Sequence, residues 1–352
     1  MKLPDTRRVT QIGSHGHIRV AEQAMPALGK GEVLIRAACS LISPGTELQS
    51  LRSPGTEGEE IWTNFGYQSA GLVIAIGEDC ENLQIGQRVA CMGHQYALHS
   101  DFVIVPQNLV VPIGPEISFE EGAFANLANT AVHALRRAEP SFGEHFAVIG
   151  LGAVGQLICQ VAALSGIHVV AIDGVEMRRQ RARELGAEIS LDLSDSDSIP
   201  AIVEWTRGYG LDAAFIAFGG DASNVIRDIA TMMKRAPDTH QYGRVVIVGG
   251  ATINLALPVP LGNMDIRSSS RTGPGYHDKA WERGRDYPEA LVPWNTRRNL
   301  NEVFRFVELG KLHLKPLITD RVSPCQIADA CNRLIWAPQE SLGVIVQWDP
   351  TM

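Results

Sequence analysis

The run Gly150-Leu151-Gly152-Ala153-Val154-Gly155 has the spacing of a phosphate-cradling turn. It directly follows an apolar, strand-like segment (HFAVIG) and opens an apolar helical one. The first glycine permits the sharp turn, the second lets a pyrophosphate approach the backbone, and the third lets helix and strand pack closely. The N–H groups of the helix start offer partial positive charge to an anion. Asp173 follows about twenty residues on, at the end of HVVAID, where a carboxylate can accept bonds from both ribose hydroxyls of NAD and repel the 2′-phosphate of NADP. Arg178 and Arg179 work in the opposite sense, as partners for a phosphate or an adenine ring. Phe218-Gly219 and Gly249-Gly250 end two further apolar runs, at the carboxyl edge where dinucleotides lie, although turn chemistry alone also accounts for them. A second cluster, Arg267, Arg271, Arg283, Arg285, Arg297 and Arg298 with Tyr276, Trp281, Tyr287 and Trp294, suits a substrate-side loop. Guanidinium forks and aromatic faces there would take a polar, anionic or glycosyl ligand through Arg271, Tyr276 and Arg283; a solvated loop of local ion pairs is the alternative.

These residues need a scaffold. From about 120 to 275 the chain alternates strand, turn and helix, with AAFIAFG and RVVIVGG as later strands and MRRQRARELGA as an amphipathic helix. That rhythm predicts a doubly wound parallel sheet. Before it, GEVLIRAACSLI, SAGLVIAIG, QRVACM and DFVIVPQNLVVPI are short strands between Gly/Pro turns, as in a compact β-rich unit. After about 275, RTGPGYHDKAWERGRDYPEALVPW shows no clear period, which marks it as functional or mobile. A helix over RRNLNEVFRFVELG, a strand over LKPLIT, a helix over QIADACNRLI and a strand over GVIVQW then return to the first texture. The fold class is α/β, with a discontinuous β-rich domain over 1–125 and 296–352 and a dinucleotide-binding domain over 126–295. The length of 352 residues suits two domains.

Several classes fall away on composition. A net charge of −8 gives no basic surplus for nucleic acid. No apolar run approaches the roughly 20 residues that span a bilayer, and the first residues lack the apolar core of a secretory signal. The six cysteines, Cys39, Cys80, Cys91, Cys159, Cys325 and Cys331, form no C-x-x-C pair and are expected to be reduced. A cytoplasmic location is expected.

With its order of β-rich unit, dinucleotide unit and return segment, the chain resembles the medium-chain dehydrogenase/reductase superfamily over essentially its whole length. The resemblance is carried by GEVLIRAACSLISPGTE, GYQSAGLVIAIGED, LQIGQRVACM, DFVIVP, FANLANTAVHAL, AVIGLGAVG and VVAIDG. SPGTE, the GYxxAG block and the RTGPGYHD stretch are similar to its sugar-associated branch, which also occurs fused to other oxidoreductase domains. The resemblance implies a GroES-like catalytic domain, a Rossmann domain and a cleft between them. It puts the zinc ligands of metal-bearing members at Ser43, at Tyr67 and Gln68, and near Asn126, none of which is a good zinc ligand. The four-cysteine structural zinc lobe is absent too, so a zinc-free member is expected; Cys91, His94 and His99 are a second set by residue type only.

Without metal, alcohol oxidation needs a protein base for the hydroxyl proton while hydride moves to nicotinamide. Tyr67 is the first candidate, because it replaces a cleft-facing ligand, and His99 is the second. Ser43, Glu47, Gln68 and Asn126 supply hydrogen bonds around them, and Thr130 takes a position beside the nicotinamide at the start of a helix. Each has a plainer reading as packing aromatic, turn cap or satisfied surface histidine. The leading expectation is an NAD(H)-dependent, zinc-independent oxidoreductase interconverting a secondary alcohol and ketone on a sugar- or polyol-like molecule. An NADPH-dependent quinone or enone reductase, and a nucleotide-binding protein without catalysis, are the alternatives. A homodimer paired along the sheet edge is expected, with a tetramer as the larger form.

Overall fold

A computed structural model describes residues 3–55, 58–256, 261–349 and 351–352. The chain forms two compact units, Met1–Asn129 with Thr272–Met352, and Thr130–Arg271.

The first unit is built on Glu32–Ile42, whose near-continuous burial marks a central strand with both faces covered. Strands Gln68–Ile76, Arg88–Met92 and Val110–Pro112 follow on one side of it, and Phe102–Pro106 also pairs with it antiparallel. On its other side lies Gly343–Gln347, antiparallel with Val344 opposite Ile42, and then Ile318–Val322. The C-terminal return therefore adds two strands to the N-terminal sheet. A smaller sheet joins Thr6–Gly13 to Ile18–Ala24 and Trp62–Asn64. Ile12, Ile42, Leu48, Phe65, Ile327, Val346 and Trp348 share one buried cluster, so sequence-distant segments meet under the loops that follow the central strand.

The second unit is a six-stranded parallel sheet in the spatial order Ile189–Leu191, His168–Ile172, His145–Ile149, Ala213–Ile216, Tyr242–Ile247, Asn263–Ser268. The order reverses beside His145–Ile149, the switch point at which such sheets bind ligands. Helices Ala153–Leu164 and Glu176–Glu184 follow the first two strands in sequence. Two strands carried no clear sequence signal: Ile189–Leu191 is only three residues long, and Asn263–Ser268 mixes charged and apolar residues on a largely exposed edge.

The units divide at 129/130 and 271/272, where the sequence suggested 125/126 and 295/296. The stretch after Thr272 is pinned within the first unit. Trp281 is fully buried. The Asn108 side-chain amide donates to its carbonyl at 2.6 Å, and that of Gln107 to the carbonyl of Arg283 at 2.8 Å. This segment includes a one-turn helix, Lys279–Glu282, capped by Asp278, and is held through its backbone carbonyls, although the buried Trp281 indole N–H has no partner among the described residues. LKPLIT also differs from a plain strand: Lys315–Leu317 is a 3₁₀ turn opened by Pro316, and the strand begins at Ile318.

Candidate functional site

In the second unit the glycine-rich turn is built of backbone. Gly150 has φ +91°, open to glycine and strained for other residues, and a Cβ on Gly155 would lie 1.9 Å from the Gly150 carbonyl oxygen. A Cβ on Gly152 would meet nothing within 4 Å, so the turn is bare on the side where an anion approaches. Gly152 also caps helix Ala153–Leu164 with no side-chain bond, leaving its first N–H groups, at Ala153 and Val154, to whatever binds. A bound pyrophosphate fits this cradle. Asp173 closes it: one carboxylate oxygen accepts the Leu151 N–H at 2.7 Å and the other the Val175 N–H at 2.8 Å. Arg178 lies 3.8 Å from the same carboxylate. Arg179 is tied to the Asp173 carbonyl and to Glu176 and Asp192. Phe218-Gly219 and Gly249-Gly250 follow neighbouring strands, and the Phe218 carbonyl comes within 2.2 Å of where a Gly249 Cβ would stand. At Gly249, close backbone packing therefore explains the glycine.

In the first unit a cavity of about 350 Å³ is lined by Ile12, Ile61 and Phe65, and by the polar residues Ser14, Thr46, Glu47, Thr63, Asn64, Tyr67 and His94 around Gly66. No lysine or arginine lines it among the described residues. Gly66 makes the crossing possible: its φ is +117°, and a Cβ there would stand 2.2 Å from the backbone nitrogen of His99. Two chain passes therefore touch, bringing Tyr67 and His99 into one neighbourhood. The phenol of Tyr67 hydrogen-bonds the Ser43 and Thr46 hydroxyls, and burial, then the nearby Glu47 carboxylate, pushes its pKa up. It is thus a proton donor at neutral pH.

Glu47 and His99 are buried together, with side chains 3% and 0% exposed and Glu47 Oε2 3.2 Å from His99 Nε2. The Ser43 backbone N–H also donates to Glu47 Oε2, at 2.8 Å. On its far side His99 Nδ1 lies 2.7 Å from the Ser40 hydroxyl, which accepts the Trp348 indole N–H at 3.0 Å. His99 is no surface histidine.

Other expected site residues are placed differently. Gln68 is fully buried and spends both ends of its amide on backbone, donating to Leu41 and accepting from Leu127. It holds the strand rather than a ligand. Asn126 is buried in the first turn of helix Ala125–Ala138. Thr130 is the sixth residue of that helix, not its start, because the helix begins at Ala125. Tyr276 accepts the His94 backbone N–H at 2.8 Å, beside the cavity lining. Arg283 instead pairs with Glu32 at 2.6 Å, and Arg271 is exposed at the end of the second unit; neither lines the cavity. Arg297 and Arg298 are held by the Asn108 side chain and the Pro293 carbonyl. The Arg-rich stretch is thus largely a network of local bonds. Sequence reasoning gave no role to Ser40, Thr46 or Trp348. Thr46 stands in the SPGTE motif and was within reach of such reasoning; Trp348 lies some 300 residues from its partner, and no local signal marks it.

Cys91, His94 and His99 are not brought together as ligands. The Cys91 thiol lies 3.0 Å from the Ser69 hydroxyl, and burial pushes its pKa up to about 12. Among the described residues there is no group of three or more His, Cys, Asp or Glu that could hold a metal ion. No helix among them is long and apolar enough to cross a membrane.

Residues 153–283 match the zinc-binding dehydrogenase family. The chain is 24% identical to (R,R)-butanediol dehydrogenase of Neisseria gonorrhoeae, over 96% of this chain and 99% of that protein. It is 23% identical to sorbitol dehydrogenase of Bacillus subtilis, over 98% of each. Its fold is that of a putative zinc-binding dehydrogenase from Sinorhizobium meliloti solved with NADP, with a TM-score of 0.77 at 18% identity, covering 98% of this chain and 100% of that one.

Proposed function

We propose that this chain, an alcohol-dehydrogenase-type oxidoreductase of the medium-chain dehydrogenase/reductase superfamily, interconverts a secondary alcohol and ketone on a neutral, polyhydroxylated substrate, with NAD(H) and without zinc. The observation that carries this reading is the donor set around Tyr67. Ser43 and Thr46 offer hydroxyls already bonded to the phenol, Gln68 has spent both amide ends, and Cys91 keeps its proton. Hydroxyl, phenol and amide groups are poor ligands for zinc, which favours thiolate, imidazole or carboxylate. The cavity's own carboxylate and imidazole, Glu47 and His94, are not gathered into a set of three such groups among the described residues. The zinc-binding family match spans 153–283 and includes none of Ser43, Tyr67, Gln68 and Asn126, so that name does not speak for a metal at these positions.

A bound nicotinamide supplies the hydride donor or acceptor at its C4. In the reducing direction Tyr67 gives its proton to the carbonyl oxygen as the alcohol forms. Thr46, Thr63 and Ser14 offer hydrogen bonds to further hydroxyls of a polyol, while the Asn64 amide is tied to Gln11 and Gln23. The related butanediol and sorbitol dehydrogenases support this substrate class. Charge narrows it further. An anionic group about 5 Å from Glu47 would meet roughly 3 kcal/mol of repulsion at an effective dielectric near 20, or about 100-fold in binding. This replaces the anionic ligand suggested by the Arg-rich stretch, four of whose six guanidinium groups (Arg267, Arg283, Arg297 and Arg298) are engaged elsewhere. NAD is favoured by Asp173, because its carboxylate sits on the turn itself and Arg179 is held by three acceptors.

The test is a steady-state panel of neutral polyols and their phosphorylated and carboxylated counterparts, each with NAD+ and NADP+. We expect kcat/KM to favour neutral substrates by at least about tenfold, with NAD+ preferred. Preference for a phosphorylated substrate, or turnover of enones or quinones alone with NADPH, would contradict the reading.

A further inference from the structure

His94 is the one imidazole among the described residues that line the cavity, and it is exposed. Its ring nitrogens make no hydrogen bond or ion pair with any described residue. Its backbone, by contrast, is fixed. The preceding N–H, of Gly93, donates to the Tyr67 carbonyl at 2.8 Å, and the His94 N–H donates to the Tyr276 phenol oxygen at 2.8 Å. The Tyr96 and Ala97 N–H groups both return to the Gly93 carbonyl, at 3.1 and 3.0 Å, and close the turn. His94 therefore stands on a turn anchored to the proton donor itself, with a side chain left to what enters the cavity.

What fixes this turn comes from far along the chain. Tyr276 and His277 belong to the RTGPGYHD stretch, which the Tyr67 chemistry does not use. Glu282, only 2% exposed, ties the two loops together: Oε1 accepts the His277 N–H at 2.8 Å and Oε2 accepts the Tyr96 O–H at 3.2 Å. The rings of Tyr276 and His277 pack at 4.0 Å. Gln95 and His277 both take positive φ, +66° and +74°. Side chains other than glycine persist in that conformation only where their surroundings over-determine it. One such residue on each loop, beside His94 and Tyr276 respectively, marks the junction as built to hold a single geometry. After burial and Glu47, Tyr276 also raises the pKa of Tyr67, so its phenol stands in the same neighbourhood.

We infer that His94 sets substrate specificity: its imidazole binds a hydroxyl of the polyol beyond the one that reacts, and Tyr276 is the positioning residue that holds it there. This rests on the activity proposed above and deepens it. A neutral imidazole donates at one ring nitrogen and accepts at the other, and a hydroxyl does both, so the two are matched without charge. Because His94 is exposed, water serves its nitrogens before substrate binds. The exchange is therefore worth the net value of one neutral hydrogen bond, about fivefold in affinity, and not the far larger penalty of a buried group left unpaired. Tyr67 and His94 divide the work: the phenol serves the reacting oxygen, and the imidazole selects molecules that carry another hydroxyl.

The test has two readouts on the full chain. In the first, NAD+-dependent oxidation is compared for sorbitol and for 2-butanol, a secondary alcohol with no further hydroxyl, as the ratio of their kcat/KM values. His94→Phe keeps a ring and removes its hydrogen bonds; it is expected to lower the ratio about fivefold, through KM for sorbitol rather than kcat. His94→Gln keeps a donor and an acceptor and is expected to hold the ratio within about twofold of wild type, while Tyr276→Phe, which removes only the oxygen that takes the His94 N–H, lowers it about threefold. A merely structural role depresses both substrates alike and leaves the ratio in place, or makes His94→Gln as damaging as His94→Phe; either result overturns the specificity role. Wild-type turnover of 2-butanol at or above that of sorbitol overturns it as well. In the second readout, ¹⁵N-histidine-labelled protein saturated with NADH is titrated with sorbitol, and the His94 ring resonances, assigned by their loss in His94→Phe, are followed by NMR. They are expected to shift in the wild type and to shift less in Tyr276→Phe. Ring resonances that stay in place overturn the inference whatever the activity. If the wild type oxidises neither alcohol, the functional reading falls, and the titration by itself decides whether His94 binds the polyol.

Discussion

The glycine-rich turn and the Tyr67 cavity solve the same problem, holding a small polar molecule, by opposite means. The turn is made of backbone: glycines remove side chains, a helix start supplies N–H groups, and one carboxylate braces the loop. The cavity is made of side chains from segments near residues 43–47, 63–67 and 94–99, backed by Ser40 and Trp348. A backbone site tolerates no added atoms where two passes touch, as at Gly155. A side-chain site tolerates small shifts but fails when one proton-bearing group is lost.

That contrast is sharpest at Gly155, where the expected effect is largest. Gly155→Val forces side-chain atoms against the Gly150 carbonyl, so NADH binding measured by fluorescence titration should weaken at least about 100-fold. Circular dichroism would show whether the sheet persists. In the cavity, Tyr67→Phe keeps the ring and removes the proton, so kcat for ketone reduction should fall about 10²-fold while NADH affinity stays unchanged. The pH dependence has a definite sign. A phenol pushed above its ordinary value of 10.0 keeps its proton through neutral and mildly alkaline pH. The wild-type reduction rate should therefore show no alkaline loss assignable to Tyr67 below about pH 10, and an activity loss near pH 8 that vanishes in Tyr67→Phe would break this assignment.

A smaller effect is expected at Asp173, where Asp173→Asn leaves a hydrogen-bonding shape but no charge. NAD+ should bind about tenfold more weakly, while NADP+ loses less or gains; equal losses for both would show that the residue only braces the turn. The smallest effect belongs to Arg283→Ala. Its pair with Glu32 is partly exposed, so it contributes no more than about 1 kcal/mol. KM for the polyol should not move, and a large rise would restore this arginine to the substrate site.

The two regions also differ in how far they can be read from sequence. The turn was legible because its chemistry is local: strand, glycines and helix are contiguous, and Asp173 stands at a fixed interval. The parallel sheet was legible for the same reason, through apolar runs ending in glycine, whereas the short strand Ile189–Leu191 and the edge strand Asn263–Ser268 were not. Tyr67, Glu47, Ser43 and His99 came into view only through family resemblance. Their partnership depends on a crossing at Gly66 and a return of the C-terminus that places Trp348 by Ser40. Residue type misled at the Arg-rich stretch. Six guanidinium groups suggested an anion site, but the structure spends Arg267, Arg283, Arg297 and Arg298 on nearby acceptors. Gln68 misled in the same way, since its fully buried amide is bonded at both ends to backbone and holds the strand rather than facing a ligand.

The central claim is that side chains, and not a metal, handle the substrate proton. Its most direct test is the rate of NAD+-dependent oxidation of a neutral polyol by chelator-treated protein, with zinc content measured by mass spectrometry on the same sample. The account predicts full activity at well below one zinc per chain, and no gain when zinc is added back. Activity that disappears with the metal and returns with one equivalent of zinc would contradict it.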